Sequence, residues 1–109
     1  MKDDLVYIEH IKDCIRKIKD YTKDLSEMEF EKNEIIQDAT IRNIEIIGEA
    51  SKKISKNFKT VNYDIPWKHI TGMRDKLVHD YMGTDLEVVW KTITEDIVFL
   101  ENLINKIEI

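Results

Sequence analysis

The sequence predicts an all-α fold, an antiparallel bundle of four to five helices. Three observations predict it. Apolar residues recur every three or four positions through most of the chain, which is the period of one helix face. Breakers are scarce, with one proline and three glycines in 109 residues. Charged residues make up 36% of the chain, enough to solvate the outer faces of long helices. A chain of this length is expected to form one domain, residues 1–109, with a core that buries roughly 60–70% of its unfolded surface.

The first helix is expected from about Asp4 to Asp24, because Leu5, Ile8, Ile11, Ile15, Ile18 and Tyr21 form one stripe. Ser26 with Glu29 has the spacing of a capping box. A second long helix follows after Glu31 and reaches about Lys56; Ile36, Ala39, Asn43, Ile47, Ala50 and Ile54 share a face, with Arg42, Glu45 and Glu49 on roughly the opposite one. Asn57 to Ile65 reads as a connection, with Asn62 and Asp64 as turn formers. Pro66 suits the first turn of a third long helix, which carries Trp67, Ile70, Met73 and Leu77 and stops near Gly83. Thr84 and Glu87 have capping-box spacing before the last helix. There Leu86, Trp90, Ile93, Ile97, Leu100, Ile104 and Ile107 follow a heptad seam, widened by Val89, Phe99 and Leu103. A stripe that wide could face both its own bundle and a second subunit.

The net charge is −5, whereas general nucleic-acid coating calls for a basic surface. Any RNA contact must therefore be local, made by a few Lys or Arg side chains in one cleft. Cys14 is the single cysteine, so no intrachain disulfide framework is expected and Cys14 reads as a small buried hydrophobe. The charged start Met1-Lys2-Asp3-Asp4 and the absence of a long apolar run argue against a secretory signal or a membrane span, which makes the cytoplasm the expected location.

Chemistry concentrates between Pro66 and Asp85, in the segment Arg74-Asp75-Lys76-Leu77-Val78-His79-Asp80-Tyr81. On an ideal helix Ile70, Met73, Leu77, Val78 and Tyr81 fall in one apolar arc, with Arg74 near its middle. An arginine there must pair with an acid, snorkel, or face an interface or a ligand cleft. His79 lies about 140° around the helix from Arg74, so the two meet only through side-chain reach, a bend, or a second subunit. Asp75 and His79 are four apart and face each other, so the carboxylate could fix the imidazole tautomer and raise its pKa. RNA cleavage needs a proton acceptor for the 2′-hydroxyl, a proton donor for the leaving oxygen and a cation for the developing phosphorane charge. His79 can move protons near neutral pH and Arg74 can hold phosphate. Read alone, each residue also has a plain structural role: Arg74 as an ion-pair partner, His79 as a surface bystander, Tyr81 as a core residue with its hydroxyl at the edge. His10, His69 and His79 lack metal-site spacing.

The stretch IPWKHITGMRDKLVHDYMGTDLEVVWKTITEDI, with the earlier RNIEIIGEASKKI, resembles the HepT-like branch of the HEPN superfamily. The R-x4-H-x-Y core is specific in this setting, and the resemblance covers nearly the whole chain. It implies a HEPN-like helical bundle that dimerises or forms a higher homo-oligomer, bringing two motifs into one cleft. It implies a metal-independent endoribonuclease toxin that needs no cofactor and acts on RNA. Arg74 and His79 would be the catalytic pair, and Asp75 the supporting polar residue. Its partner would be an MntA-like nucleotidyltransferase antitoxin that silences it by adding AMP to Tyr81. The alternative is a non-catalytic helical module that binds and regulates such a nucleotidyltransferase.

Overall fold

The computed structural model describes the backbone of residues 2–82 and 85–107 and the side chains of residues 3–75 and 85–107. Among these residues every regular element is helical: α1 (Lys2–Thr22), α2 (Glu27–Glu31), α3 (Glu34–Lys53), α4 (Lys56–Val61), α5 (Trp67–Met82), α6 (Leu86–Lys91) and α7 (Ile97–Ile104). A π turn over Thr92–Asp96 joins α6 and α7 into one rod. The chain thus has four long rods, as expected, and two helices of about one turn, α2 and α4, that were not.

The helix ends follow local hydrogen-bond chemistry. α1 stops at Thr22, and Asp24 takes a left-handed conformation with φ 63°. Ser26 and Glu29 do form the capping box, through Glu29 N to Ser26 Oγ at 3.2 Å and Ser26 N to Glu29 Oε1 at 3.0 Å. The box starts α2, and Asn33 supplies a second cap: its Oδ1 accepts from Ile36 N at 3.0 Å and opens α3 after Glu31, as expected. α2 exists to seat Phe30, which is fully buried, with its ring centroid 5.3 Å from that of Trp90. Gln37 Nε2 donates to the Phe30 carbonyl at 2.9 Å and closes that corner.

α3 ends at Lys53, three residues before the expected Lys56, because Ser55 caps a new helix by accepting from Phe58 N at 3.2 Å. The expected connection is therefore helical in its first half, and Phe58 is buried under it. The buried Asp4 carboxylate accepts from both Ser55 N and Ser55 Oγ at 2.7 Å, which ties the start of α1 to this junction. Trp67 Nε1 donates to the Asn62 carbonyl at 3.1 Å, and its ring meets Phe58 edge-on, so α5 leaves the turn at a set angle.

The last rod departs from its pattern at the π turn. Asp85 caps it, accepting from Val88 N at 3.2 Å; the expected stop near Gly83 and the expected box from Thr84 to Glu87 involve residues outside the described ones. The heptad seam holds from Ile93 through Ile97, Leu100 and Ile104, all buried, but ahead of the π turn the fully buried position is Val89 while Trp90 is half-buried. A π turn holds more residues per turn than an α-helix, so α6 presents a face one residue earlier than the heptad predicts. Val98 and Phe99 stay exposed.

α3 is the central element. It packs against α1 on one flank and α5 on the other. Its buried set, including Gln37, Thr40, Ile44, Ile47, Gly48 and Ser51, is accordingly wider than a single apolar face. Cys14 is buried as expected, and burial pushes its thiol pKa up.

The Asp4 junction is testable through pH. Hydrogen bonds from the Ser55 backbone and then its side chain hold the Asp4 carboxyl below its usual range. A carboxyl depressed in the folded state stabilises the fold above its unfolded pKa and loses that contribution as pH falls through its folded pKa. Asp4→Asn should therefore lower the melting temperature at neutral pH, and the gap from wild type should close in acid. Melting curves of both proteins across that range check this; a gap independent of pH would sink the assignment.

Candidate active-site cleft

Arg74 sits where α5 crosses α3, and Gly48 makes that crossing possible. A Cβ at Gly48 would lie 2.6 Å from Arg74 Cβ and 2.8 Å from its Cγ, closer than carbon atoms approach. The arginine stem therefore lies across a bare stretch of α3 backbone. Its head is held from two sides: Nη2 is 3.1 Å from Glu49 Oε1 on α3, and Nη1 donates to Asp75 Oδ1 at 3.0 Å on its own helix. Nε is buried with no hydrogen-bond partner among the described residues. The Asp75 hydrogen bond first, and the Glu49 charge among the rest, raise the Arg74 pKa further. The guanidinium is charged at every accessible pH.

Of the three fates open to an arginine on an apolar arc, Arg74 combines two. It pairs with acids, and its side chain remains 29% exposed at the wall of a cleft. Glu49 and Asp75 are about half exposed, so these pairs add little stability and exchange readily with another anion.

The cleft has a volume of about 460 Å³ and is built from three helices. Tyr7 and His10 come from α1, Arg74 from α5, and Arg42, Glu45, Ile46, Glu49, Ala50 and Lys53 from α3. Arg42, Ile46, Glu49 and Lys53 follow one another at helical spacing along a single row. The cations Arg42, Lys53 and Arg74 face Glu45 and Glu49 in the lining, and Asp75 adds a third carboxylate against Arg74, so the cleft is locally balanced in a chain of net charge −5. Arg42 stands 4.0 Å from Glu45. The Lys53 ammonium lies 6.0 Å from the Tyr7 ring centroid, and His10 meets the same ring edge-on at 6.3 Å. A second cleft of about 400 Å³ lies between α5 and the π turn, where His69 Nε2 is 3.7 Å from Asp96 Oδ1 beside Lys68 and Gly72.

Arg74 and Asp75 are therefore together, as the motif implied. His79 and Tyr81 lie on α5, which is helical to Met82, but their side chains are outside the described residues, and so is the expected Asp75–His79 contact. Glu49, which had no assigned role, is the cross-helix partner of Arg74. Gly48, Tyr7, His10 and Lys53 were not anticipated. The face containing Arg42, Glu45 and Glu49 was visible as a spacing, but nothing in sequence placed α1 opposite it.

The family model described as "Ribonuclease HepT-like" matches residues 11–107. A Thermococcus cleftensis protein named "Probable ribonuclease HepT" is 43% identical over 101 residues, covering 93% of this chain and 92% of that protein. A Caldanaerobacter subterraneus protein named as a putative RNase is 38% identical over 107 residues, 98% of this chain and 96% of that one. A Methanocaldococcus jannaschii protein named as a gamma-glutamylcyclotransferase and putative RNase is 43% identical over 106 residues, which span 97% of this chain but 48% of that longer protein. No solved structure matches.

Two glycine substitutions separate the crossing from helix propensity. Gly72 faces open space, with nothing within 4 Å of an added Cβ, so Gly72→Ala should stabilise the protein by about 0.5–1 kcal/mol. Gly48→Ala gains the same propensity but meets the Arg74 stem, where overpacking costs about 1–3 kcal/mol. It should be neutral to destabilising and should displace Arg74. Denaturant midpoints of the two variants test the pair; equal stabilisation by both would mean that α3 and α5 do not need the bare backbone.

Proposed function

This chain belongs to the HepT-like ribonuclease family, and from that premise we propose that it is a metal-independent endoribonuclease that acts as the toxin of a toxin–antitoxin pair. The observation that carries the reading is Arg74, a permanent cation held at a helix crossing by exchangeable carboxylates and fronting a cleft that gathers two further cations, Arg42 and Lys53. A phosphate entering the cleft replaces Glu49 or Asp75 as the partner of the guanidinium and gains a bidentate contact. The relatives named as ribonucleases support RNA as the substrate.

In this reading Arg74 and His79 are the catalytic pair and Asp75 the supporting residue. A base takes the proton of the 2′-hydroxyl, and that oxygen attacks the adjacent phosphorus. Arg74 stabilises the added negative charge of the phosphorane. An acid protonates the departing 5′-oxygen, leaving a 2′,3′-cyclic phosphate and a free 5′-hydroxyl. His79 serves one of the two proton transfers. A homodimer that presents two motifs to one cleft supplies the second imidazole and makes the 140° offset between Arg74 and His79 harmless. The partner is an MntA-like nucleotidyltransferase that silences the toxin by adding AMP to Tyr81. By helical spacing Tyr81 is seven residues beyond Arg74, on the same side of α5.

Purified protein incubated with end-labelled RNA and excess chelator should cleave it, leaving cyclic phosphate ends. His79→Ala should be slowed at least about 100-fold. Full activity in His79→Ala would remove His79 from the mechanism. No cleavage by wild type, with its mass excluding AMP on Tyr81, would favour the partner-binding module instead.

AMP on Tyr81 should lower RNA affinity as well as cleavage, because the added phosphate competes for the Arg74 charge. Filter binding with modified and unmodified protein reads this directly; unchanged affinity would rule out charge competition as the way modification silences the protein.

A further inference from the structure

We propose that the cleft between α1, α3 and α5 is a subsite for one nucleotide of the RNA strand, with Tyr7 stacking the base and Lys53 holding a phosphate beside the one that Arg74 engages. The proposal rests on the ribonuclease reading for the identity of the strand, and on the cleft itself for the nucleotide.

Lys53 is the telling residue. On an ordinary solvated helix it would pair with Glu49, four residues earlier and in the favourable order. Glu49 instead reaches across to Arg74. Among the described residues Lys53 is left with no carboxylate and points its ammonium at the Tyr7 ring from 6.0 Å. A cation over a half-buried ring at the cleft wall is a weak contact, which a stacked base and a phosphate can replace together: the base takes the ring and the lysine takes the phosphate. Arg42 is 72% exposed and only 4.0 Å from Glu45 at its nearest, so it extends the same anion path at the cleft edge.

The shape agrees. Tyr7 and His10 form an edge-to-face aromatic wall, and the opposite side is the row Arg42, Glu49 and Lys53. The volume of about 460 Å³ lies within the range of small-ligand sites. A wall that stacks and a rim that holds phosphate is the arrangement by which proteins bind single strands with little sequence preference. Glu49 is engaged by Arg74, and the three cations of the lining argue against a divalent cation as the occupant. The cleft also answers the net charge of −5, since a short stretch of backbone needs only the few cations gathered here, Arg42, Lys53 and Arg74.

The test uses two probes and two readouts. Calorimetric titration of the full chain with 5′-AMP and with ribose 5-phosphate measures what the base contributes. Wild type should bind 5′-AMP about tenfold more tightly than ribose 5-phosphate. Tyr7→Leu should abolish that difference and Tyr7→Phe should keep it. Lys53→Gln, an exposed change that leaves the core untouched, should weaken both probes alike. In cleavage assays, an abasic site placed one nucleotide from the cut should raise KM about tenfold for wild type and leave it unchanged for Tyr7→Leu. Equal affinity for the two probes, or a base preference that survives Tyr7→Leu, would overturn the subsite. If the base preference depends on Tyr7 and no RNA is cut, the nucleotide subsite stands and the endoribonuclease reading falls.

Discussion

The closeness of α3 and α5 at Gly48 is the constraint on which the rest of the molecule depends. With no side chain at that position, the stem of Arg74 can lie flat on the α3 backbone. That contact sets how deeply the guanidinium sits and which groups it can reach. It also explains why α3 is buried on both flanks: α5 comes close enough on one side to complete a core that α1 closes on the other. A larger residue would have to move backbone or a Cβ, not the far end of a flexible chain, so the crossing has little freedom to adapt.

Charge in this protein is arranged locally. The chain is acidic as a whole, yet one cleft gathers Arg42, Lys53 and Arg74 around an aromatic wall. Glu49 links both levels. By turning to Arg74 it bridges two helices, and by doing so it leaves Lys53 without the intrahelical partner its spacing offers. Surface ion pairs of this exposure contribute little to folding, so their arrangement matters for what the cleft can exchange with a ligand.

The boundary that departs from expectation, the end of α3, has a local cause. Ser55 caps α4 with its own side chain, as Asn33 and Asp85 cap α3 and α6, and it competes with a longer apolar pattern that runs past it. Ser26 and Glu29 were legible as a box, but not the brevity of the helix they start, because Phe30 is what holds α2 in place and its pocket is made by distant Trp90 and Gln37. The π turn at Thr92–Asp96 was hidden for a related reason. A heptad count assumes a constant turn, and the burial of Val89 in place of Trp90 is decided by what α6 packs against.

The sequence by itself determined the helical class, the four long rods and their core stripes, because apolar periodicity is a local property that packing only has to accept. It also carried the motif around Arg74 and Asp75, since adjacent residues on one helix keep their relation in any fold. Tertiary structure alone decided the cleft. Tyr7 and His10 lie more than thirty positions from the α3 row they face, and Gly48 meets Arg74 only because two helices cross there. Contacts between distant segments depend on crossing angle and register, and these are set by the whole core at once.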